Sequence, residues 1–350
     1  MDTIFTEKHH LRNSKTELYG GQLVEPFERP SRAEYIIGRV REVALGPVSA
    51  PNDFGIAPIA AVHDADYLTF LQAAWTDWRA EGFKGEAMTT VWPARRMSSR
   101  IPTHIEGRLG YYSLSCETAI SEGTWEAAYA SAQVALTGAE RIRQGAGSAF
   151  ALCRPPGHHA AIDMYGGYCF LNNAAIAAQY LLENGAARVA ILDVDFHHGN
   201  GTQDIFDRRD DVLFLSLHGD PMDAFPHFLG HADEIGSGAG AGFTVNYPMP
   251  PGTGFETWRA ALSDALSRMA TFAPDVLIIS LGVDTFETDP ISFFKLTSDD
   301  FTTYGADIAA LGLPTLFVME GGYDIAEIGV NTVNVLQGFE SGCNKPSCLT

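Results

Sequence analysis

The sequence is short of basic residues. Lysine and arginine together number 23, against 43 aspartates and glutamates in 350 residues, which gives a formal net charge of −20 at pH 7. A chain this acidic is poorly suited to nucleic acid or to an anionic membrane surface, whereas it attracts cationic ligands. We therefore expect no nucleic-acid partner and no membrane partner.

Cysteines and long apolar runs are also scarce. The five cysteines are an odd number, which fits reduced thiols better than a disulfide framework. Cys153 and Cys169 lie in apolar surroundings and are expected in the core, whereas Cys343 and Cys348 lie in the polar stretch SGCNKPSCLT, whose spacing does not suit zinc. No apolar run could span a bilayer, and the charged N-terminus MDTIFTEKHH lacks the pattern of a signal peptide. These absences predict a cytoplasmic protein.

A regular alternation of strand and helix patterns begins near residue 148. Short apolar runs that are typical of buried strands cover 148–154, 187–195, 211–218, 275–284 and 314–322, with a weaker one at 243–249. Helical spacing of apolar residues separates them at 172–185, 253–272 and 299–312. This alternation predicts parallel βαβ units in an α/β fold.

The first 147 residues are less regular. A clear helix pattern covers 124–145, whereas 78–123 is rich in Gly, Pro, Arg and Ser and is expected to form long loops. Loops of that length in a compact domain usually serve function or cover an interface. We expect one domain over residues 1–340 and a flexible tail over 341–350.

Polar residues with metal-binding or acid–base chemistry lie at or just after the ends of several predicted strands, at the edge where open α/β sheets carry their sites. They are His158 and His159, Asp195, His197 and His198, Ser216 and His218, Asp284, and Tyr323. Asp195 and His197 alternate along an extended segment and so point to one side. With Asp284 they make a three-ligand set with an open fourth position, the pattern of catalytic zinc, although Fe²⁺, Co²⁺ or Mn²⁺ would also suit these donors. The alternative is that these side chains only cap strands by hydrogen bonds.

The tandem histidines suit proton transfer, because histidine titrates near neutrality and a Pro-Pro-Gly turn fixes the pair at a strand end. Asp193 and Asn200 are candidate partners for their far nitrogens. Tyr323 follows two glycines and could donate a hydrogen bond to a developing oxyanion. The sequence suggests no catalytic role for His198.

Several motifs occur in one order and resemble the arginase–deacetylase superfamily, and within it the histone-deacetylase-like amidohydrolases. They are RPPGHHA, GGYCFLNNAA, LDVDFHHGNGTQDIF, SLHGDP, SLGVDTF and EGGY, between residues 154 and 323. In the first half KTELYGG, RIPTHIEGRLGYY and ETAISEGTWEAA resemble the bacterial acetylpolyamine amidohydrolases, so the similarity covers nearly the whole chain.

The resemblance implies a single-domain, three-layer α/β/α fold with a mainly parallel sheet of about eight strands. It implies one Zn²⁺ per subunit on Asp195, His197 and Asp284, acid–base catalysis by His158 and His159, and Tyr323 as the oxyanion donor. Tyr168 and Phe225 would be aromatic walls for an aliphatic chain. A structural K⁺ would use Asp193, Asp195, His197, Ser216 and Leu217, and a second K⁺ would use backbone oxygens around Phe206, Arg209, Val212 and Phe243.

Two departures refine these expectations. Glycines at 199 and 282 stand where arginase-type members carry aspartates for a second metal, so one catalytic metal and no guanidino chemistry are expected. Asn200 stands where some histone deacetylases have an aspartate, which should leave His159 less basic.

The reaction implied is hydrolysis of the acetyl amide of N-acetylated polyamines or diamines, such as acetylputrescine and acetylcadaverine. Glu17, Glu106 and Glu117 are candidates for recognising the ammonium of a small cationic substrate, and the 78–123 segment could narrow the entrance by pairing two subunits in a homodimer. Two alternatives stay open: a protein acetyl-lysine deacetylase, and a non-catalytic ligand-binding protein on the same fold.

Overall fold

A computed structural model of the chain describes residues 1–343. The described part forms strands β1 Asp2–Ile4, β2 Glu17–Tyr19, β3 Gln22–Val24, β4 Val48–Ser49, β5 Ser148–Ala151, β6 Val189–Asp193, β7 Val212–Gly219, β8 Thr244–Met249, β9 Val276–Leu281 and β10 Thr315–Met319. Its α-helices are α1 Ser31–Glu42, α2 Ala57–Ala60, α3 Ala65–Ala80, α4 Ile105–Tyr112, α5 Thr124–Arg143, α6 Asn173–Glu183, α7 Asn200–Phe206, α8 Phe255–Phe272, α9 Ser298–Ala309 and α10 Ile328–Cys343. Short 3₁₀ helices cover Glu7–Leu11 and Gly238–Gly240.

Eight strands form one parallel sheet in the order β4-β1-β5-β10-β9-β6-β7-β8, and β2 and β3 form a separate antiparallel hairpin. The strand β8 lies at one edge, where Pro248 is tolerated because its missing N–H faces no further strand. The predicted α/β fold with a mainly parallel sheet of about eight strands is confirmed.

The sheet is buried on both faces because each strand alternates its side chains between two apolar layers. On β6, Val189 and Ile191 pack with residues of α3, α5 and α6, whereas Ala190 and Leu192 pack with residues of α1, α8, α9 and α10. This alternation explains why the strands read as continuous apolar runs in the sequence.

Three local expectations were wrong. The segment 78–123 is not all loop, because α3 extends to Ala80 and α4 lies within it; two glycines in IEGRLGYY obscured an apolar i, i+4 spacing that buries Ile105 and Leu109. The strands β1 and β4 were missed because they are only three and two residues long. The tail does not begin at residue 341, because α10 continues to Cys343.

The remaining tail, residues 344–350 with Cys348, lies outside the described residues. Cys153 and Cys169 are buried thiols, as predicted. Among the helices of residues 1–343, none has both the length and the apolar character needed to cross a membrane.

Candidate active site

The site is assembled at the carboxyl ends of four neighbouring strands. In sheet order these are β5, β10, β9 and β6, and the residues that follow them include His158, Tyr323, Asp284 and Asp195 respectively. The predicted strands were too long at these ends: β5 stops at Ala151 and β9 at Leu281. The chain leaves the sheet at these points. The polar side chains that follow therefore lie outside the apolar layers, at the edge formed by the carboxyl ends of the four strands.

Asp195, His197 and Asp284 are brought together as predicted. One ligand atom from each lies within 4.8 Å of the others, and all three residues are buried. The His197 Nδ1 atom is 3.0 Å from Asp284 Oδ2 and 3.4 Å from Asp195 Oδ1. Backbone amides orient the carboxylates: Phe196 N donates to Asp284 at 2.7 Å, and Gly321 N donates to Asp195 at 2.7 Å.

The electrostatics of this group fit a divalent cation. Burial and the adjacent charge of Asp195 raise the pKa of Asp284 to about 8. Burial opposes protonation of His197, but the two carboxylates outweigh it and raise its pKa to about 10. Two buried carboxylates that repel each other across one imidazole nitrogen are stabilised by a bound cation.

Glycines leave room for these carboxylates. A Cβ atom at Gly282 would lie 2.0 Å from Asp195 Oδ2, and one at Gly321 would lie 2.5 Å from the same atom and 2.6 Å from Asp284 Oδ2. A Cβ atom at Gly199 would meet Asp193 Oδ2 at 2.2 Å. A side chain at 199 or 282 would therefore require movement of the present carboxylates.

The tandem histidines have different partners. His158 Nδ1 is 3.0 Å from Asp193 Oδ2, and His159 Nδ1 is 2.6 Å from Asn200 Oδ1. Burial opposes protonation of His158, but Asp195 and Asp193 outweigh it and raise its pKa to about 10. Burial, with the charges of neighbouring histidines, holds the pKa of His159 well below 6.5. His159 is therefore expected to be neutral near pH 7, although its hydrogen bond to Asn200 by itself favours protonation.

The histidine turn is fixed by a carboxylate that sequence reasoning missed. Glu320 is fully buried, and its Oε2 accepts hydrogen bonds from Gly157 N at 2.6 Å and His158 N at 3.1 Å. Glu320 lies in the EGGY motif, but Tyr323 is the only residue of that motif for which a role was predicted. The motif therefore supplies both the tyrosine and the support of the histidine turn.

Tyr323 is held by residues far away in the sequence. The Arg32 guanidinium donates to Gly322 O and Glu320 O, each at 2.6 Å, and lies 4.8 Å from the centre of the Tyr323 ring. Glu28 pairs with Arg32 at 3.2 Å and with Arg154 at 2.7 Å. Burial raises the pKa of Tyr323 well above 10, so its hydroxyl is a hydrogen-bond donor at neutral pH. No sequence pattern near Glu28 or Arg32 indicated that these residues support Tyr323.

A cavity of about 350 Å³ opens onto these groups. Its walls include the aromatic residues Tyr168, Phe196, Phe225, Phe293 and Tyr323, the histidines His159, His197 and His227, and the carboxylates Glu17, Glu117 and Asp223. The Phe225 ring meets the His159 ring edge-on at 5.1 Å, and Tyr168 lies 5.6 Å from Tyr323. Tyr168 and Phe225 therefore line the approach to the histidines, where they were expected.

The three predicted cation-recognising glutamates occupy different places. Glu117 lines the cavity and accepts a hydrogen bond from Gly167 N at 3.2 Å. Glu17 also lines it but is buried, and its carboxylate accepts the Tyr168 hydroxyl at 2.7 Å; burial raises its pKa to about 7. Glu106 lies on α4, outside the cavity lining, with its Oε2 3.6 Å from His104 Nδ1. Of these three glutamates, Glu17 and Glu117 line the cavity of their own chain, and Glu106 does not.

The predicted monovalent-cation residues lie beside the site. Asp193 and Ser216 are partners in the β6–β7 register, and Asp193 Oδ1 accepts from Asp195 N at 3.1 Å. The Ser216 hydroxyl is 2.8 Å from His218 Nδ1, and Leu217 follows on β7. For the second position, Phe206 O accepts from Arg209 N at 3.0 Å, and Phe243 O accepts from Phe214 N at 2.9 Å, near the start of β7 at Val212. Potassium at either position stays a prediction.

His198, which had no assigned role, anchors the loop that carries Phe225. It is fully buried, and its Nε2 is 3.0 Å from Gln203 Oε1. Gln203 donates to Glu234 at 2.6 Å, and Glu234 accepts from Gly230 N at 2.9 Å. The neighbouring His218 ring is 2.8 Å from Gly230 O. The loop is thus tied to the floor of the site a few residues after the cavity wall.

Gly230→Ala tests this anchor. Gly230 has a φ of +103°, and an added Cβ would lie 2.7 Å from His198 Cγ and 2.8 Å from His218 Nε2. We expect a loss of stability of about 1–3 kcal/mol from the backbone alone, and a raised KM because the loop must move. Gly185→Ala is the matched control, since Gly185 has a φ of +116° with no atom within 4 Å of an added Cβ. Equal KM values for the two variants would contradict the anchoring role.

Comparisons with known proteins agree with this geometry. The histone deacetylase domain model matches residues 26–339. The chain is 62% identical over 338 residues to acetylpolyamine amidohydrolase of Mycoplana ramosa and 58% identical over 342 residues to acetylpolyamine amidohydrolase 1 of Pseudomonas aeruginosa, with 97% of this chain and 99% of each relative covered. The crystal structure of acetylpolyamine aminohydrolase from Burkholderia pseudomallei superposes with a TM-score of 0.93 at 43% identity, covering 98% of this chain and 99% of that one.

Proposed function

Because the chain belongs to the histone deacetylase family and is a hydrolytic deacetylase, we propose that it hydrolyses the acetyl amide of N-acetylated polyamines and diamines. Acetylputrescine and acetylcadaverine are the substrates we expect, with acetate and the free amine as products. Two similar relatives are named acetylpolyamine amidohydrolase, and the similarity covers nearly their whole length. This supports the polyamine substrate class.

One structural observation carries the proposal. His159, His197 and Tyr323 line a single cavity whose other polar lining includes Glu117 and Asp223. An acid–base residue, a metal-ligand candidate and a hydroxyl donor therefore face the same space as carboxylates suited to a cation. A substrate with an acetyl amide at one end and an ammonium at the other matches both sets of groups.

Asp195, His197 and Asp284 would hold the catalytic metal, for which we propose zinc. When bound, zinc supplies Lewis acidity toward a carbonyl oxygen and toward water. The fit rests on the two buried carboxylates and the imidazole nitrogen described above. Two oxygen donors and one nitrogen donor also suit Fe²⁺, Co²⁺ or Mn²⁺, so the metal content of the purified protein decides between them.

His159 accepts the proton of the attacking water in the proposed reaction. Its Nδ1–H donates to Asn200 Oδ1, which leaves the Nε2 lone pair available, and its low pKa keeps that nitrogen neutral. As the water oxygen bonds to the acetyl carbon, its proton moves to His159. When the C–N bond breaks, His159 returns the proton to the leaving amine, and the second water proton stays on the carboxyl group. Acetic acid and a neutral amine therefore form, and the acid's proton then passes to the amine to give acetate and ammonium.

Two further groups hold charge during this sequence. The Tyr323 hydroxyl donates to the oxygen that becomes negative when water adds to the carbonyl. His158, with its pKa raised to about 10 beside Asp193, keeps a positive charge next to His159 and thereby holds His159 neutral until it takes the proton. The residues thus divide into one that moves a proton and two that set the charge around it.

A kcat/KM panel tests the substrate class. The panel contains N-acetylputrescine, N-acetylcadaverine, an acetylated spermidine, an acetyl-lysine peptide, and N-butylacetamide, which lacks the second ammonium. We expect the acetylated diamines to be preferred. Glu117→Gln should lower kcat/KM for N-acetylputrescine about 10–100-fold, since a charge-assisted hydrogen bond contributes about 1.5–3 kcal/mol, and should leave N-butylacetamide unchanged.

The controls separate the alternatives. Glu256→Gln removes an exposed carboxylate on α8, outside the cavity lining, and should change neither substrate. A strong preference for the acetyl-lysine peptide would replace our proposal with the protein deacetylase. Family membership already argues against a non-catalytic binding protein, and turnover of any acetylated amine excludes it.

We also propose that the chain acts as one catalytic domain, whose end moves from the expected residue 340 to Cys343 at the end of α10, and that 78–123 pairs two copies near the entrance. The segment exposes Val91, Met97 and Ile101, with 49%, 62% and 46% of their surfaces accessible. Glu106 lies in the same segment and could reach the cavity of a second copy. Light scattering must give the mass of two chains if this pairing is correct. The two potassium positions and the cytoplasmic location stay predictions.

A further inference from the structure

A second group of metal-type side chains lies outside the site just described. Glu7 and His10 are exposed and His9 is buried on the N-terminal 3₁₀ helix Glu7–Leu11, and one ligand atom from each lies within 4.8 Å of the others. Glu34 of α1 comes within the same neighbourhood, with its Oε1 3.6 Å from His10 Nε2. We call these four residues the N-terminal histidine cluster.

We propose that the N-terminal histidine cluster is a second divalent transition-metal site, distinct from the one at the strand ends. His9 and His10 supply two imidazole nitrogens, and Glu7 and Glu34 supply two carboxylate oxygens. Two histidines with two carboxylates form a four-ligand set that zinc accepts. The site borders solvent through Glu7 and His10, so an ion can enter without passing through the catalytic cavity.

The environment of His9 indicates that the cluster binds a ligand. Only 2% of its surface is exposed, yet neither ring nitrogen has a hydrogen-bond partner among residues 1–343. A buried imidazole without partners is costly, because its polar atoms have lost water and gained nothing. Burial and the nearby Arg154 charge lower the pKa of His9 to about 3, so the ring is neutral and has a lone pair to offer a metal.

The 3₁₀ helix places the donors of Glu7 and His10 on the same side of the helix. Residues three apart eclipse one another on a 3₁₀ helix, so Glu7 and His10 share a face. His10 Nε2 is 3.4 Å from Glu7 Oε2, and the His9 and His10 ring centres are 4.0 Å apart. Tetrahedral zinc at about 2.0–2.2 Å from each donor suits the present separation of Glu7 and His10, so only the wider pairs of donors must close further. Glu7 and His10 can make this adjustment because 74% and 44% of their side chains are exposed.

The position of the cluster also suits a structural metal. Arg154 donates to the backbone oxygens His9 O and Arg12 O at 2.6 and 2.9 Å, so the helix carrying the cluster is already tied to the start of the histidine turn. A metal that joins this helix to Glu34 would fix α1 against it. The α1 helix carries Arg32, which holds the Tyr323 segment.

Zinc stoichiometry tests the inference without reference to activity. The full-length protein is equilibrated with micromolar Zn²⁺, dialysed against the same buffer, and its zinc counted per chain by mass spectrometry. We expect two zinc ions per chain for the parent and one for His10→Ala. The Asp284→Ala variant, which loses the catalytic position, should keep one, and the Asp284→Ala, His10→Ala double variant should keep none.

His104→Ala is the matched control. His104 is half-exposed and lies 3.6 Å from each of two carboxylates, Glu81 and Glu106, but it has no buried histidine beside it. It should retain two zinc ions per chain. Equal zinc counts for the parent and His10→Ala, or a lower count for His104→Ala than for the parent, would each overturn the proposal. A failure of the deacetylase assignment would leave these counts unchanged, so the two proposals are tested separately.

Discussion

His159→Ala is expected to lower kcat about 10²–10⁴-fold, the usual contribution of a positioned general acid–base group. His159 is the buried histidine whose pKa lies well below 6.5 and whose Nδ1 is bound to Asn200, so its Nε2 is the free base in the cavity. The pH dependence follows from the sign of that shift. The base must be neutral, so the parent keeps its activity down to a pH below 6.5 and loses it only as His159 becomes protonated. That acidic limb should be missing in the variant.

Steady-state kinetics between about pH 5 and 9 with N-acetylputrescine measure both effects. Circular dichroism and zinc content should match the parent, because the substitution leaves the three metal-ligand candidates intact. Only Asn200 Oδ1 loses its imidazole partner, since Asn200 Nδ2 still donates to the backbone oxygen of residue 159. A variant that keeps parent-level kcat would exclude His159 as the proton carrier. An unchanged acidic limb in a slow variant would assign that limb to another group.

Tyr323→Phe is expected to lower kcat about 10²–10³-fold with little change in KM, as found when one oxyanion donor is removed. Only one oxygen atom is lost, and the ring still fills its place under Arg32. The raised pKa keeps the Tyr323 hydroxyl protonated across the neutral range, so the effect should not depend on pH there. Because the donor acts on charge that develops in the transition state, kcat and kcat/KM should fall together.

Tyr168→Phe is the matched control for this loss. It removes another phenolic hydroxyl from the same cavity, but that hydroxyl is already used by Glu17 at 2.7 Å. We expect it to change KM more than kcat, since Tyr168 lines the approach rather than meeting the reacting oxygen. Equal kcat losses in the two variants would mean that Tyr323 acts on the shape of the cavity instead of on the oxyanion.

The strand ends could be predicted because their signals are local. Asp195, His197 and the neighbouring Asp193 lie within five residues of one another, and strand periodicity alone decides which side chains share a side. The parallel order of β5, β10, β9 and β6 then brings four such local signals to one edge. The residues of the candidate site could therefore be predicted from the sequence, although the roles of these residues stay proposals.

The supporting residues could not be read in this way. Arg32 contacts the backbone near Tyr323 across 290 residues, and Glu28 pairs with Arg154 across 126. Nothing in the neighbourhood of either residue distinguishes it from a surface charge. Glu17 shows the same limit, because it was expected to recognise a substrate ammonium, and nothing near it in the sequence indicates that it is buried against the Tyr168 hydroxyl. Burial of a charged side chain depends on which distant segment covers it.

The 290-residue separation between Arg32 and Gly322 has a consequence for how the protein is made. On the ribosome, Arg32 must wait for its backbone acceptors while almost the entire polypeptide emerges, because the carbonyls of Glu320 and Gly322 are translated near the end. The strand β1 likewise waits for β5, which is its parallel neighbour. Such distant pairings are formed slowly and leave strand edges open meanwhile. A nascent chain stalled before Tyr323 would hold all three metal-ligand candidates and yet have no completed catalytic pocket.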